Sequence, residues 1–121
     1  MLSVRNGIQA IEFYGTAFGA IELFRVGEGA SVVAQMSIDD CKFWLADESP
    51  EHCNFSPTTL GGGTVRMVLT VENPDAVFDR AIKAGASVVW PVEDQPYGWR
   101  VGRLSDPFGH HWEIGRPLPQ S

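Results

Sequence analysis

The sequence predicts an α+β chain made of two tandem βαβββ modules, and three observations carry that prediction. A short strand, a helix and three further strands follow one another, a polar stretch intervenes, and the same order starts again. Short segments also match between the halves: Val4-Arg5-Asn6-Gly7 with Val71-Glu72-Asn73-Pro74, Gly19-Ala20 with Gly85-Ala86, and the turn at Asp39 with the turn at Asp106. A unit of this length present twice is a duplicated module and not a solenoid period. Finally, 121 residues that are 44% hydrophobic and 20% charged supply enough apolar material for one packed domain spanning 1–121.

The first module covers 1–46. Leu2-Ser3-Val4 reads as the tail of a strand. Asn6 is an N-cap type and opens a helix, along which Ile8, Ala10, Ile11, Tyr14, Ala17 and Phe18 form a broad apolar stripe. Gly19 ends it in the usual position for a residue with positive φ. A strand over 21–26 and a turn at Glu28-Gly29 follow. Over 31–38 the residues alternate, with Val32, Ala34, Met36 and Ile38 on one face and Ser31, Val33, Gln35 and Ser37 on the other. Asp39-Asp40 makes a hairpin turn. The strand over 41–46 puts Cys41, Phe43 and Leu45 toward the core and Lys42, Trp44 and Ala46 on the opposite face.

A polar connection over 47–63 contains Pro50, Pro57 and the run Gly61-Gly62-Gly63. A structureless segment of this length is usually functional or joins two modules. The glycine run has no following Lys-Ser/Thr and no preceding strand, which argues against a phosphate-binding loop.

The second module covers 64–115. Alternation over 64–71 sets Val65, Met67, Leu69 and Val71 against Arg66, Val68 and Thr70. Asn73 caps a helix with Pro74 at its first position, Val77, Phe78, Ala81 and Ile82 as its buried stripe and Gly85 as its stop. A strand over 87–90, a polar loop over 91–97 and a strand over 99–104 come next. The run Asp106-Pro107-Phe108-Gly109-His110 is a tight reversal, after which Trp112 and Ile114 point one way and His111 and Glu113 the other. Residues 116–121 are a Pro-containing tail. Each module thus has a sheet with a helix over one face, and the two uncovered faces are expected to bury each other or a ligand.

Fifteen acidic against nine basic residues give a formal charge of −6 and a pI of about 4.9. Without clustered Lys and Arg there is no nucleic-acid footprint, and the negative charge disfavours anionic membranes. No run of 18 apolar residues and no charged-then-apolar leader is present, so neither a membrane span nor a signal peptide is expected, and the cytoplasm is the default location. In that setting Cys41 and Cys53 are expected to be reduced and structural.

The paired modules resemble the vicinal-oxygen-chelate superfamily, which includes glyoxalase I, extradiol dioxygenases and the fosfomycin and bleomycin resistance proteins. Three stretches are similar to its PhnB-like branch: Ala10-Ile11-Glu12-Phe13-Tyr14 with Ala17-Phe18-Gly19-Ala20; Pro91-Val92-Glu93-Asp94-Gln95 with Tyr97-Gly98-Trp99-Arg100; and Asp106-Pro107-Phe108-Gly109-His110 with Trp112. The resemblance covers nearly the whole chain. It implies the glyoxalase/bleomycin-resistance fold with a concave sheet pocket, and a homodimer. It says little about activity, because the fold hosts many chemistries.

In metal-using members the ligands, His or Gln and Glu, lie on the first and last strands of each module and face the concave side. By that resemblance Glu113 matches. Trp44 stands where the first module's acid would be, and Arg66 or Val68, depending on register, where a His would be. The position on the first strand falls at or before Met1. One carboxylate does not hold a divalent ion that takes about four ligands. His111 and Gln35 share the inner faces and are the available substitutes, whereas Arg66 would repel a cation and pair with Glu113 instead.

The pocket expected from these residues is lined by Trp44, Gln35, Arg66, Val68, His111, Glu113 and Trp99. Trp44 either stacks on a flat ligand or merely packs. Glu113 is the candidate acid-base or anchoring group, against the alternative of a solvated carboxylate, and His111 is either its neighbour in the pocket or a solvent-facing polar residue. Trp90, Tyr97 and Trp99 either form a rim or fix their loop. His110 is expected to satisfy a backbone carbonyl, Arg100 to brace its loop or the Asp106 turn, and His52 to be solvated. The leading expectation is a small-molecule binding protein that uses no cofactor and takes a partly aromatic ligand. The alternative is a divalent-metal lyase, isomerase or dioxygenase with Glu113 as a ligand.

Overall fold

A computed structural model of the chain describes residues 1–119. The order of elements is β1 (Leu2–Val4), α1 (Gly7–Phe18), β2 (Ile21–Val26), β3 (Val33–Ile38), β4 (Cys41–Asp47), a 3₁₀ turn (Pro50–His52), α2 (Pro57–Leu60), β5 (Arg66–Thr70), α3 (Pro74–Ala84), β6 (Ser87–Asp94), β7 (Trp99–Ser105) and β8 (His111–Pro117). The strands form two four-stranded sheets of like topology, β1-β4-β3-β2 and β5-β8-β7-β6. In each, the first strand pairs in parallel with the last and the remaining pairs are antiparallel. This is the α+β architecture of two tandem modules.

The helices form for local reasons. The Asn6 carboxamide accepts from Gln9 N at 3.1 Å and that of Asn73 from Ala76 N at 3.2 Å, each cap stabilising its helix by about 1 kcal/mol. Gly19 closes α1 at φ 67°, a conformation costly for a residue with a Cβ. The apolar stripe of α1 buries Ala10, Ile11, Phe13, Tyr14, Ala17 and Phe18. That of α3 buries Phe78 and Ala81, with Val77 and Ile82 partly covered. A Cβ on Gly102 of β7 would lie 2.8 Å from Val92 Cγ2 and 3.0 Å from Phe78 Cε2, so the bare glycine lets α3 sit close on its sheet.

Helices α1 and α3 pack against each other, and both modules contribute to one core. Its centre is aromatic: Phe18 lies 4.7 Å from Trp112, Tyr14 5.5 Å from Trp112 and Phe13 6.0 Å from Phe108, ring centre to ring centre. Edge-to-face pairs such as Phe13–Phe108 add about 0.5–1.5 kcal/mol to the burial itself. Asp106, buried at this junction, accepts from the Tyr14 hydroxyl, from Trp112 Nε1 and from the backbone N–H groups of Phe108 and His110. The reversal after β7 is therefore a joint between modules.

Several expectations need correction. The sheet faces away from the helices do not close on each other in the single chain. Phe24, Trp90 and Tyr97 are exposed there, because the contact between modules runs through α1 and α3. The 47–63 connection is not structureless. Ser56 caps α2 through Thr59 N, and Glu48 accepts from Ser56 N and the Thr59 hydroxyl. Those hydrogen bonds hold the Glu48 carboxyl below its ordinary range. β6 continues through Pro91 to Asp94, which an outer strand tolerates because proline's missing N–H faces no partner there. β8 continues into the expected tail as far as Pro117, and Ser121 and Gln120 lie outside the described residues. Cys41 is exposed at the hairpin end and Cys53 is exposed in the connection, so neither thiol is a core group.

Candidate functional site

The free face of the second sheet is set by alternation and register. β5 and β8 align Arg66 with His111 and Val68 with Glu113, and β8 and β7 align Glu113 with Arg103. Their partners on the other face, Trp112, Ile114 and Leu104, are buried under the helices, so Arg66, Val68, His111, Glu113 and Arg103 necessarily face away from them. On the first sheet the same logic sets Gln35 opposite Trp44, with Phe24 on Gln35's other side. A bulge at Leu23 brings Phe24 onto that face, where its ring meets Trp44 edge-on at 6.2 Å.

Charge on the second sheet is concentrated at Glu113. Arg66 Nε donates to Glu113 Oε2 at 3.0 Å, and Arg103 Nη2 lies 3.9 Å from Glu113 Oε1. The pairing of Arg66 with Glu113 expected from sequence is present. Arg103 is the residue that sequence reasoning missed. Continuing the alternation over 99–105 would have found it, since that pattern puts Trp99, Val101 and Arg103 on one face. Two guanidinium groups thus meet at the one carboxylate of Glu113, and a second carboxylate, Glu93, stands in the wall of the depression that Arg103 and Glu113 share.

Three depressions open on these faces. The cleft between the modules, of about 540 Å³, runs between the β1/β4 and β5/β8 strands and is capped by the 55–65 segment. Trp44, Arg66, Arg103 and His111 line it together with Phe43, and no Asp or Glu does. A second depression of about 410 Å³ has Trp90, Tyr97, Arg103 and Glu113 in its walls. A third of about 220 Å³ has Val68, Trp99, Tyr97 and Glu113. The residues expected in one pocket are thus divided. Trp44, Arg66 and His111 share the inter-module cleft; Val68, Trp99 and Glu113 meet on the outer part of the second sheet; Gln35 lines none of the three.

Other candidates take structural roles. His110 Nε2 is 2.9 Å from the Ser3 carbonyl, tying β1 to the β8 entry, so the carbonyl it satisfies belongs to the other module. Arg100 clamps Asp75 on α3 and Asp94 on β6, at 2.7–3.0 Å, and does not reach Asp106. Its hydrogen bonds hold Asp75 below the ordinary carboxyl range, and Asp75 and Asp94 together raise the Arg100 guanidinium further. His52 is exposed and bonded to the Ser49 hydroxyl at 2.7 Å.

A divalent ion does not fit this donor set. Among the described residues no three His, Cys, Asp or Glu side chains converge. On the first module's last strand the residue on this face is an indole, Trp44, and both Glu113 oxygens are approached by guanidinium groups.

Comparison with known proteins accords with this architecture. A protein of Mycobacterium bovis described as uncharacterized is 44% identical over 122 residues, spanning 97% of this chain and 80% of its own length. The solved structure of TioX from Micromonospora sp. ML1 superposes with a TM-score of 0.76 at 25% identity, covering 97% of this chain and 94% of that one. An Arabidopsis thaliana gene product of known structure gives a TM-score of 0.76 at 26% identity, covering 95% and 92%. The family profile of the Glyoxalase/Bleomycin resistance protein/Dioxygenase superfamily matches residues 1–114, and the chain belongs to that superfamily.

Proposed function

We propose that this protein binds a small, partly aromatic molecule in the inter-module cleft without a metal ion. The observation that carries the reading is the replacement of a metal-ligand constellation by an ion cluster. Trp44 occupies the first module's acid position, and Arg66 and Arg103 neutralise the one carboxylate that remains, Glu113. Fixed guanidinium groups beside Glu113 do electrostatically what a cation would do, and they oppose the approach of one. An indole in a cleft of this size offers a stacking surface, and about 540 Å³ lies within the roughly 300–1,000 Å³ range of small-molecule sites. Val68, Trp99 and Tyr97 extend the apolar surface beyond Glu113. Gln35, paired with Trp44 across β3 and β4, is a polar group on the same sheet face.

The motif run through Asp106-Pro107-Phe108-Gly109-His110 and Trp112 supports assignment to the PhnB-like branch. The working form is a homodimer. Ile21 (65% exposed), Phe24 and Val26 on β2 and Val88 and Trp90 (64%) on β6 give each sheet one outer strand with exposed apolar side chains and an open edge, and a second copy is the occupant that covers them. The acidic surface and the absence, among the described residues, of any helix long and apolar enough to cross a membrane are compatible with a cytoplasmic location.

Elemental analysis of protein purified without a histidine tag tests the reading. Well under one Zn, Ni, Fe or Mn per chain is the expected result. A stoichiometric metal whose removal abolishes turnover of an α-keto or hemithioacetal substrate would replace it with a metal-dependent lyase, isomerase or dioxygenase.

A further inference from the structure

We infer that the cleft selects anions, and that Arg103 is the residue that anchors the anionic group, a carboxylate, of a planar aromatic ligand stacked on Trp44. This rests on the binding reading above and adds the ligand's charge and its anchor.

Arg103 carries the argument. Its Nε is buried and has no hydrogen-bond partner among the described residues. Its approach to Glu113 is 3.9 Å, an ion-pair separation too long for a hydrogen bond. Buried guanidinium N–H groups are normally satisfied, because leaving one unpaired costs its desolvation. Arg66 beside it commits only its Nε, to Glu113, and its side chain is 53% exposed. Since Nε is shielded from solvent, the groups of Arg103 that a ligand could reach are the Nη ends of this 25%-exposed side chain, and with Arg66 they line the same cleft as the Trp44 indole.

The electrostatics point the same way. In a chain with fifteen acidic and nine basic residues, this cleft's lining contains two arginines and two histidines and no carboxylate. Glu113 and Glu93 line the neighbouring depressions and not this cleft, so an anion entering here meets the guanidinium groups without facing a carboxylate in the same wall. A planar carboxylate matches the guanidinium fork in two parallel N–H···O bonds, and a flat ring attached to it matches the indole. A cationic ligand would meet like charge, and a neutral carbonyl would accept from Arg103 without the charge assistance or the second parallel bond that a carboxylate provides. The His111 imidazole, aligned with Arg66 across the strand pair, adds a donor at the same mouth.

Calorimetric titration with 2-naphthoate, 2-naphthamide and 2-naphthylmethylammonium tests this, since the three share a ring system and differ in charge. Naphthoate is expected to bind at least about tenfold more tightly than the amide, in keeping with charge-assisted hydrogen bonds being about twice as strong as neutral ones. Its binding should weaken with added salt while that of the amide does not. Arg103→Gln should remove the preference, and Arg103→Lys should restore part of it. Should Arg103→Gln fail to fold, the salt dependence of wild-type binding and the lysine variant still decide the matter.

If the amide or the ammonium compound binds as tightly as naphthoate, and Trp44→Ala weakens all three, anion selection is overturned and aromatic binding in the cleft stands. If the naphthoate preference survives in Arg103→Gln, the assignment of the anchor is wrong. If none of the three binds saturably, this inference and the binding reading both fall.

Discussion

The Tyr14 hydroxyl donates to the Asp106 carboxylate across the junction of the two modules, 92 residues apart in sequence, with both groups buried. The same carboxylate oxygen takes the Trp112 indole N–H at 2.9 Å. The other takes two backbone N–H groups of its own reversal, also at 2.9 Å. One side chain thereby fixes the turn, orients Trp112 in the aromatic core and holds α1 to the β7–β8 connection. The joint shapes the cleft indirectly, since β8 carries His111, which lines the cleft, on its other face.

Tyr14→Phe keeps the ring and removes one donor from this buried carboxylate. The expected loss of unfolding free energy is about 1.5–3 kcal/mol, the range for a hydrogen bond to a charged group. Urea denaturation measures it. A loss under about 0.5 kcal/mol, the usual level for a substitution away from any special feature, would show that the hydroxyl contributes little to the joint.

The same tyrosine sets a pH dependence. Burial raises the Tyr14 phenol well above its ordinary value of 10, and the neighbouring Asp106 charge adds to the shift. The folded state therefore holds this proton more tightly than the unfolded state does. The associated stability is complete below pH 10 and is lost as pH rises from there through the folded value. Thermal melts of the wild type at increasing pH should fall more steeply above pH 10 than those of Tyr14→Phe. Parallel curves would remove Tyr14 as the source.

Self-association is open to a direct test at β2. Phe24→Glu places a charge on a side chain that is 50% exposed in the single chain, so the fold should tolerate it. Light scattering should then report a dimer for the wild type and a monomer for the variant. A monomeric wild type at all accessible concentrations would remove the proposed homodimer.

Much of this molecule was legible in its residues. The alternation over 31–38 assigned Ala34, Met36 and Ile38 to the core and Gln35 to the free face, and the structure places them so. Asn6 and Asn73 predicted both helix starts, and Gly19 and Gly85 both stops, because caps act through atoms three or four residues away. The β6 boundary was misplaced at Pro91, since a proline reads locally as a strand breaker and only its position on an outer strand makes it harmless. The short helix at Pro57–Leu60 was missed because four residues carry too little periodicity to detect.

The sequence by itself determined the duplicated architecture, the caps and which side of each strand is apolar. Those properties depend on neighbours within a few residues or on a repeat that can be compared with itself. Only the tertiary structure decided that Asp106 ties Tyr14 to Trp112 and that Arg103 joins Arg66 at Glu113. It also separated Trp44 and Glu113 into neighbouring depressions and left the free sheet faces open. Each of these depends on the register between strands distant in sequence and on how α1 meets α3, which local periodicity does not encode.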